Sequence, residues 1–287
     1  MDNEHQVLAC VDQSPFANAV ADAGAWAAQR LGAPLELLHA IDRHPERGTG
    51  ADHSGAIGIN AQAELLNQLS ADDEARTRVW REQGRVFLNQ LRQRASVAGA
   101  PQVDVRQRHG ALESTLAEQA GQVQLLVMGR QGTGSAAAPR TLGRHVERVV
   151  RAVNKPILVV PSDFQAPQRV MVAYDGGAVT RRAVELVATS PLCRGLPLGL
   201  LMAGPDSQAA PKHLAWAMQR LQSAGFEVAA WQRPGDAPTA MADTVQAEGV
   251  GLIVMGAFGH SAWRSLFFGS KTADWLRQAQ VPSLLVR

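Results

Sequence analysis

The feature that most narrows what this chain can fold into is an internal repetition. Val7-Leu8-Ala9-Cys10-Val11-Asp12 returns as Val170-Met171-Val172-Ala173-Tyr174-Asp175. Gln124-Leu125-Leu126-Val127-Met128-Gly129 returns as Gly251-Leu252-Ile253-Val254-Met255-Gly256, and Lys155-Pro156-Ile157-Leu158-Val159-Val160 as Val281-Pro282-Ser283-Leu284-Leu285-Val286. Three matches in one order mean two copies of one structural unit. The stretch from Asp12 to Gly129 exceeds that from Asp175 to Gly256 by about 36 residues, so the first copy carries an insertion.

Within each copy, short apolar bursts alternate with segments of helical periodicity. In the first, strands are expected at Val7–Asp12, Leu35–Ile41, Val103–Arg108, Leu125–Gly129 and Pro156–Val160. Trp80, Gly84, Phe87, Leu91 and Ala95 mark one helical face, and Leu142, Val146, Val149 and Val153 another. In the second, strands are expected at Arg169–Asp175, Leu196–Ala203, Phe226–Trp231, Leu252–Gly256 and Ser283–Val286, with Leu214, Met218 and Leu221 as a helical core face. This alternation predicts an α/β protein: two tandem, doubly wound, five-stranded parallel-sheet (Rossmann-like) domains. The boundaries read as 1–161, a proline-flanked linker at 162–168, and 169–287, with the insertion over 43–75. Gly48, Gly50, Gly55 and Gly58 give the insertion the character of an exposed excursion: a lid, a partner-binding loop or filler.

Composition removes several function classes. A net charge of +2 spread over dispersed arginines gives no basic patch for nucleic acid or an anionic membrane. Cys10 and Cys193 cannot supply a disulfide framework, and Cys10 in an apolar strand reads as a buried thiol. The N-terminus lacks the basic-then-apolar pattern of a leader, and no apolar run reaches membrane-spanning length, so a reducing cytoplasm is expected. His39, His44 and His53 lack metal-site spacing, so no metal is assigned. Gly269-Ser270-Lys271-Thr272 has serine where a Walker motif needs glycine before lysine, and no G-x-S-x-G elbow is present.

One junction carries the chemistry. Gly251 to Ser270 reads as a buried strand, a loop with Gly256 and Gly259, and a helix opening at Gly269-Ser270. Such a loop can wrap backbone N–H groups around an anion, and glycine lets the backbone approach a phosphate closely. In open α/β sheets ligands bind beyond the carboxyl ends of the strands, where strand order reverses. If the strands ending near Asp175 and Gly256 are neighbours there, the carboxylate and the loop face one crevice. Asp175 could then accept from an amine or a ribose hydroxyl; the competing local role is a turn that starts a helix.

The duplicated unit, the strand-ending aspartates and the Gly256-x2-Gly259-x9-Gly269-Ser270 spacing resemble the universal stress protein family, across both copies. The resemblance implies that ATP, or alternatively AMP, binds mainly in the second copy, with Mg2+ arriving only on the nucleotide. It implies Asp175 and the second-strand position Ala203 at adenine, and Gly256, Gly259, Gly269 and Ser270 at phosphate and ribose. The first copy departs from the pattern: Asp12, Gly129 and Gly132 are in place, but Gly143 follows after ten residues and Arg144 replaces the Ser or Thr. That is the expectation of a weaker site, unless Arg144 grips a phosphate as a bidentate donor. The resemblance further implies pairing of the last strands, Pro156–Val160 with Pro282–Val286, as an internal pseudo-dimer, and leaves a further homodimer open. The expected role is nucleotide-dependent stress response or signalling without efficient catalysis. The alternatives are a protein-interaction module with a vestigial pocket and a slow ATPase.

Overall fold

The structure, a computed structural model, describes residues 6–41, 81–133, 142–204, 210–257 and 270–287. The insertion expected at 43–75 lies outside the described residues. The first copy runs β1 (Gln6–Cys10), α1 (Ala17–Leu31), β2 (Leu35–Ile41), α2 (81–97), β3 (Val103–His109), α3 (Leu112–Gln119), β4 (Val123–Gly129), α4 (Arg144–Ala152) and β5 (Ile157–Val160). The second runs β6 (Val170–Ala173), α5 (Ala178–Thr189), β7 (Leu198–Ala203), α6 (Ala210–Ser223), β8 (Val228–Arg233), α7 (Ala237–Glu248), β9 (Leu252–Gly256), α8 (Ser270–Gln278) and β10 (Ser283–Val286).

The ten strands among the described residues form one sheet in the order β3-β2-β1-β4-β5-β10-β9-β6-β7-β8. Each copy therefore repeats the same five-strand order, and every pairing within a copy is parallel. The copies meet where β5 and β10 pair antiparallel, Leu158 opposite Leu284. This pairing covers two apolar strands that would otherwise be open edges, leaving β3 and β8, none of whose residues is buried, at the rims.

The central strands are buried on both faces, which is why they read as unbroken apolar runs. One face packs under α1, α2, α5 and α6, through residues such as Val20, Leu91, Val184 and Leu221. The other packs under α3, α4, α7 and α8, through Leu116, Val149, Met241 and Leu276. In α2, Gly84, Leu91 and Ala95 of the expected face are buried, but Leu88 takes the enclosed place beside the half-buried Phe87, and Trp80 lies outside the described residues. Met218 of α6 is half-buried beside the fully enclosed Leu221.

Arginines bind the copies across the seam. Arg130, after β4, donates through Nη1 to the carbonyls of Ala279 (2.9 Å) and Arg277 (3.3 Å) at the end of α8. Arg287 donates reciprocally to Arg151 O at the end of α4 (2.8 Å). Both place a cation on the carbonyl end of the other copy's helix, where the helix dipole favours positive charge. Arg30 of α1 donates to Leu192 O (3.0 Å) and to Arg194 O, holding the 3-10 turn Pro191–Cys193 against the first copy. Between β5 and β6, Phe164 packs on Trp26 of α1 with ring centroids 6.1 Å apart. Among the described residues no helix is long and apolar enough to cross a membrane.

Candidate functional site

Strand order reverses between β1 and β4 in the first copy and between β6 and β9 in the second, because each copy's first crossover goes one way and its later strands the other. Asp12 and Asp175 stand two residues beyond β1 and β6, not on the last strand residue, so each begins the loop into the following helix. The topological condition for a shared crevice is thus met in both copies.

In the first copy this crevice has a volume of about 480 Å³. Asp12, Ala40, Gly129, Gly132, Thr133 and Gly143 are in its wall, contributed by four separate segments. The Asp12 carboxylate spans it locally: Oδ1 accepts from the Ser14 N–H (3.2 Å) and Oδ2 from the Thr133 N–H (2.8 Å). Gly132 must be glycine for this contact, since a Cβ there would stand 2.6 Å from Asp12 Oδ2. Gly129 is equally constrained, its missing Cβ facing Phe16 at 2.7 Å. The Gly143 N–H donates to Arg130 O (2.9 Å), which sets the start of α4 against the loop after β4. Gly143 is the N-cap of α4 and has no side chain to close the first turn, so the helix presents bare backbone donors. Ser14 Oγ accepts from the Phe16 N–H (3.3 Å) in the turn before α1.

The walls add polar groups that the motif did not contain. His39 of β2 is 9% exposed and lies edge-on to Phe87, with centroids 5.4 Å apart. Burial holds its imidazole below the usual range, opposed by Asp12 and reinforced by His109. His145 Nδ1 lies 3.3 Å from Glu113 Oε1 at the rim. Cys10 is half-buried and not enclosed, because its strand position faces the crevice; its desolvated thiol is pushed up to about 12, with the Glu36 charge adding to the effect. The single clue in the sequence to His39 was its place on the second strand, since a histidine in an apolar run carries no spacing signal.

In the second copy, Asp175 fills the local role that competes with ligand contact. Its Oδ1 accepts from the Gly177 N–H (2.8 Å) and from Thr180 Oγ1 (2.6 Å). Gly176 sits at φ +80° with His213 where its Cβ would be, so this turn admits no other residue without rearrangement. Ala203 ends β7, and Gly256 ends β9 beside β6. The Thr272 hydroxyl donates to Gly256 O (3.3 Å), tying α8 to the end of that strand. Gly259 and Gly269 lie outside the described residues, and of Arg144 and Ser270 only the backbone is described, each opening its helix. The structure thus brings Asp12, Gly129, Gly132 and Gly143 together around one cleft, and brings Asp175 beside the strand that Gly256 ends. Among the described residues no cluster of three or more His, Cys, Asp or Glu could hold a metal ion.

Comparison with known proteins gives a uniform picture. The family model described as the universal stress protein family matches twice, over residues 4–161 and 167–287. Universal stress protein Slr1230 of Synechocystis sp. is 31% identical over 284 residues, covering 98% of this chain and 99% of that protein. Universal stress protein Rv1996 of Mycobacterium tuberculosis is 26% identical over 223 residues, 67% of this chain and 68% of its own. Among solved structures, a universal stress protein from Archaeoglobus fulgidus superposes with a TM-score of 0.69 at 18% identity, covering 100% of this chain and 99% of the other.

Proposed function

The chain belongs to the universal stress protein family, and we propose that it binds adenine nucleotides at the carboxyl ends of its central strands, ATP before AMP, and holds them without efficient turnover. The observation that carries this reading is the first-copy cleft, where a carboxylate, a glycine loop and an uncapped helix start converge. Its volume falls within the ~300–1,000 Å³ of small-molecule sites. A carboxylate has about four acceptor positions, so Asp12 can take an exocyclic amine while keeping its two backbone donors. The α4 N-terminus, whose first turn no side chain caps, favours an anion without needing a cationic side chain.

The second copy is the tighter site in this proposal, because it retains the G-x2-G-x9-G-S spacing at Gly256, Gly259, Gly269 and Ser270, with Asp175 and Ala203 for adenine. In the first copy, the extra residue before Gly143 and the Asp12–Thr133 bond both work against entry of a phosphate tail. Mg2+ would accompany the phosphates and neutralise part of their charge. Residues of this chain would bind and orient the nucleotide, and the readout would be a conformation seen by a protein partner.

Isothermal titration with ATP and Mg2+, with AMP and with cyclic AMP tests the reading directly. A ligand at a hundredfold its Kd stabilises the fold by ~2.7 kcal/mol, which a thermal shift detects. Gly259→Trp is expected to abolish the tight phase, and Gly132→Val to remove only a weaker one. No heat and no thermal shift at millimolar nucleotide would overturn the proposal.

A further inference from the structure

The seam between the copies encloses a second cavity, of about 360 Å³, remote from both strand-end clefts. It lies on the α1 and α5 face, where the antiparallel β5–β10 joint leaves the two helices apart. Its walls are mostly apolar and come from both copies, Leu31 and Leu125 on one side and Leu186, Leu192 and Leu284 on the other, with Gln124, Thr189 and Ser190 as uncharged polar members. Among the described residues Lys155, immediately before β5, is the one charged member of the lining. Among the described residues no carboxylate lies within ion-pair distance of Lys155. The fold does not demand a cation there, because the second copy carries Val281 at the equivalent place.

We propose that this seam cavity binds a small amphipathic carboxylate of the medium-chain fatty acid class, its chain among the leucines and its head group on Lys155. Each half of such a ligand answers one half of the cavity. The alkyl chain removes apolar wall from water, and the carboxylate forms a charge-assisted bond to the ammonium of a half-buried lysine that has no carboxylate partner among the described residues. An alcohol of equal length buries the same area and forfeits the charged bond; an alkylammonium meets a like charge. Cys193 contributes only apolar surface, since burial pushes its thiol up to about 12 and leaves it protonated and unreactive, a shift that the nearby Arg30 partly offsets. Both copies supply wall residues, so the site exists only in the joined molecule.

The test is calorimetric titration of the full chain with octanoate, octanol and octylammonium, on the native protein and on Lys155→Met and Leu186→Trp variants. Octanoate is expected to bind one to one, at least tenfold more tightly than octanol, with octylammonium weakest. Lys155→Met is expected to bring octanoate down to the octanol level, and Leu186→Trp to remove both by filling the cavity. Native-like circular dichroism and an unchanged melting temperature for Lys155→Met exclude loss of fold as the cause. Octanoate binding no tighter than octanol, full octanoate affinity in Lys155→Met, or no binding at millimolar octanoate would each overturn the proposal.

Discussion

The two copies set a carboxylate at the same place and lock it in different ways. Asp12 reaches across its cleft to the Thr133 N–H of the loop after β4, while Asp175 turns inward to Gly177 and Thr180 at the start of α5. Both also accept from the N–H two residues on, and three residues further the second copy adds the hydroxyl of Thr180 where the first has Ala17. A second contrast lies one turn of the sheet away. Glu36 pairs with Arg106 across β2 and β3 (2.9 Å), and the matching positions of β7 and β8 hold Gly199 and Trp231. The indole occupies the space a Cβ at 199 would need, 1.8 Å from its ring. The same backbone thus tolerates an ion pair in one copy and an aromatic over glycine in the other, because each pair fills the volume between the strands.

The contrast can be broken most forcefully at Gly199. Gly199→Val is expected to cost about 3 kcal/mol by displacing Trp231, read as a lower urea midpoint at constant m-value. Glu36→Gln, at the matching place, should be far milder. Next come the reciprocal straps: Arg130→Ala should lose about 2 kcal/mol, since Arg130 is half-buried and makes two bonds. Arg287→Ala, with an exposed side chain, should lose less than ~1 kcal/mol, so equal losses would refute the asymmetry. Asp175→Ala should cost about 1 kcal/mol, like loss of a helix cap, and raise amide exchange at Gly177. Asp12→Ala should instead raise exchange at Thr133, in the loop after β4 of its own copy.

The smallest expected effect is one of pH. Burial places the folded-state pKa of His39 below its ordinary 6.5, so the native state binds fewer protons than the unfolded state between those values. Stability should therefore fall as pH drops from about 6.5 through the folded pKa, and His39→Met should flatten that fall. Met202 stands at the matching position, so the second copy lacks this term. Glu36 opposes it: burial raises its carboxyl despite Arg106, so its contribution is full below its ordinary 4.5 and is lost as pH rises through the folded value. Paired urea titrations at several pH values, on Glu36→Gln and His39→Met, separate the two slopes.

Most of the fold was legible because central parallel strands must be apolar on both faces, and a repeated strand–helix order leaves few topologies. The three matched segments became β1 and β6, β4 and β9, and β5 and β10. The rim strand of the second copy was less legible: Phe226–Trp231 was expected and Val228–Arg233 is observed, since an edge strand exposed to water need not keep an apolar run. The glycines of the first cleft could be read from spacing, yet the Asp12–Thr133 bond could not, because it joins residues far apart in sequence. The straps from Arg130, Arg287 and Arg30 were hidden for the same reason: each acts on a backbone carbonyl, and every residue has one. Cys10 was assigned to the interior by its apolar neighbours, but it is the last residue of β1 and borders the cleft at the strand's carboxyl end.

The antiparallel joint of β5 with β10 has an evolutionary consequence. Were it formed by two identical subunits, any mutation would be written twice, once on each side of the dyad, and dilution could part the halves. Carried on one polypeptide, the partner strands stay at high effective concentration. Each mutation then lands once, so lysine at 155 can face a history of valine at 281, and the two halves are free to specialise.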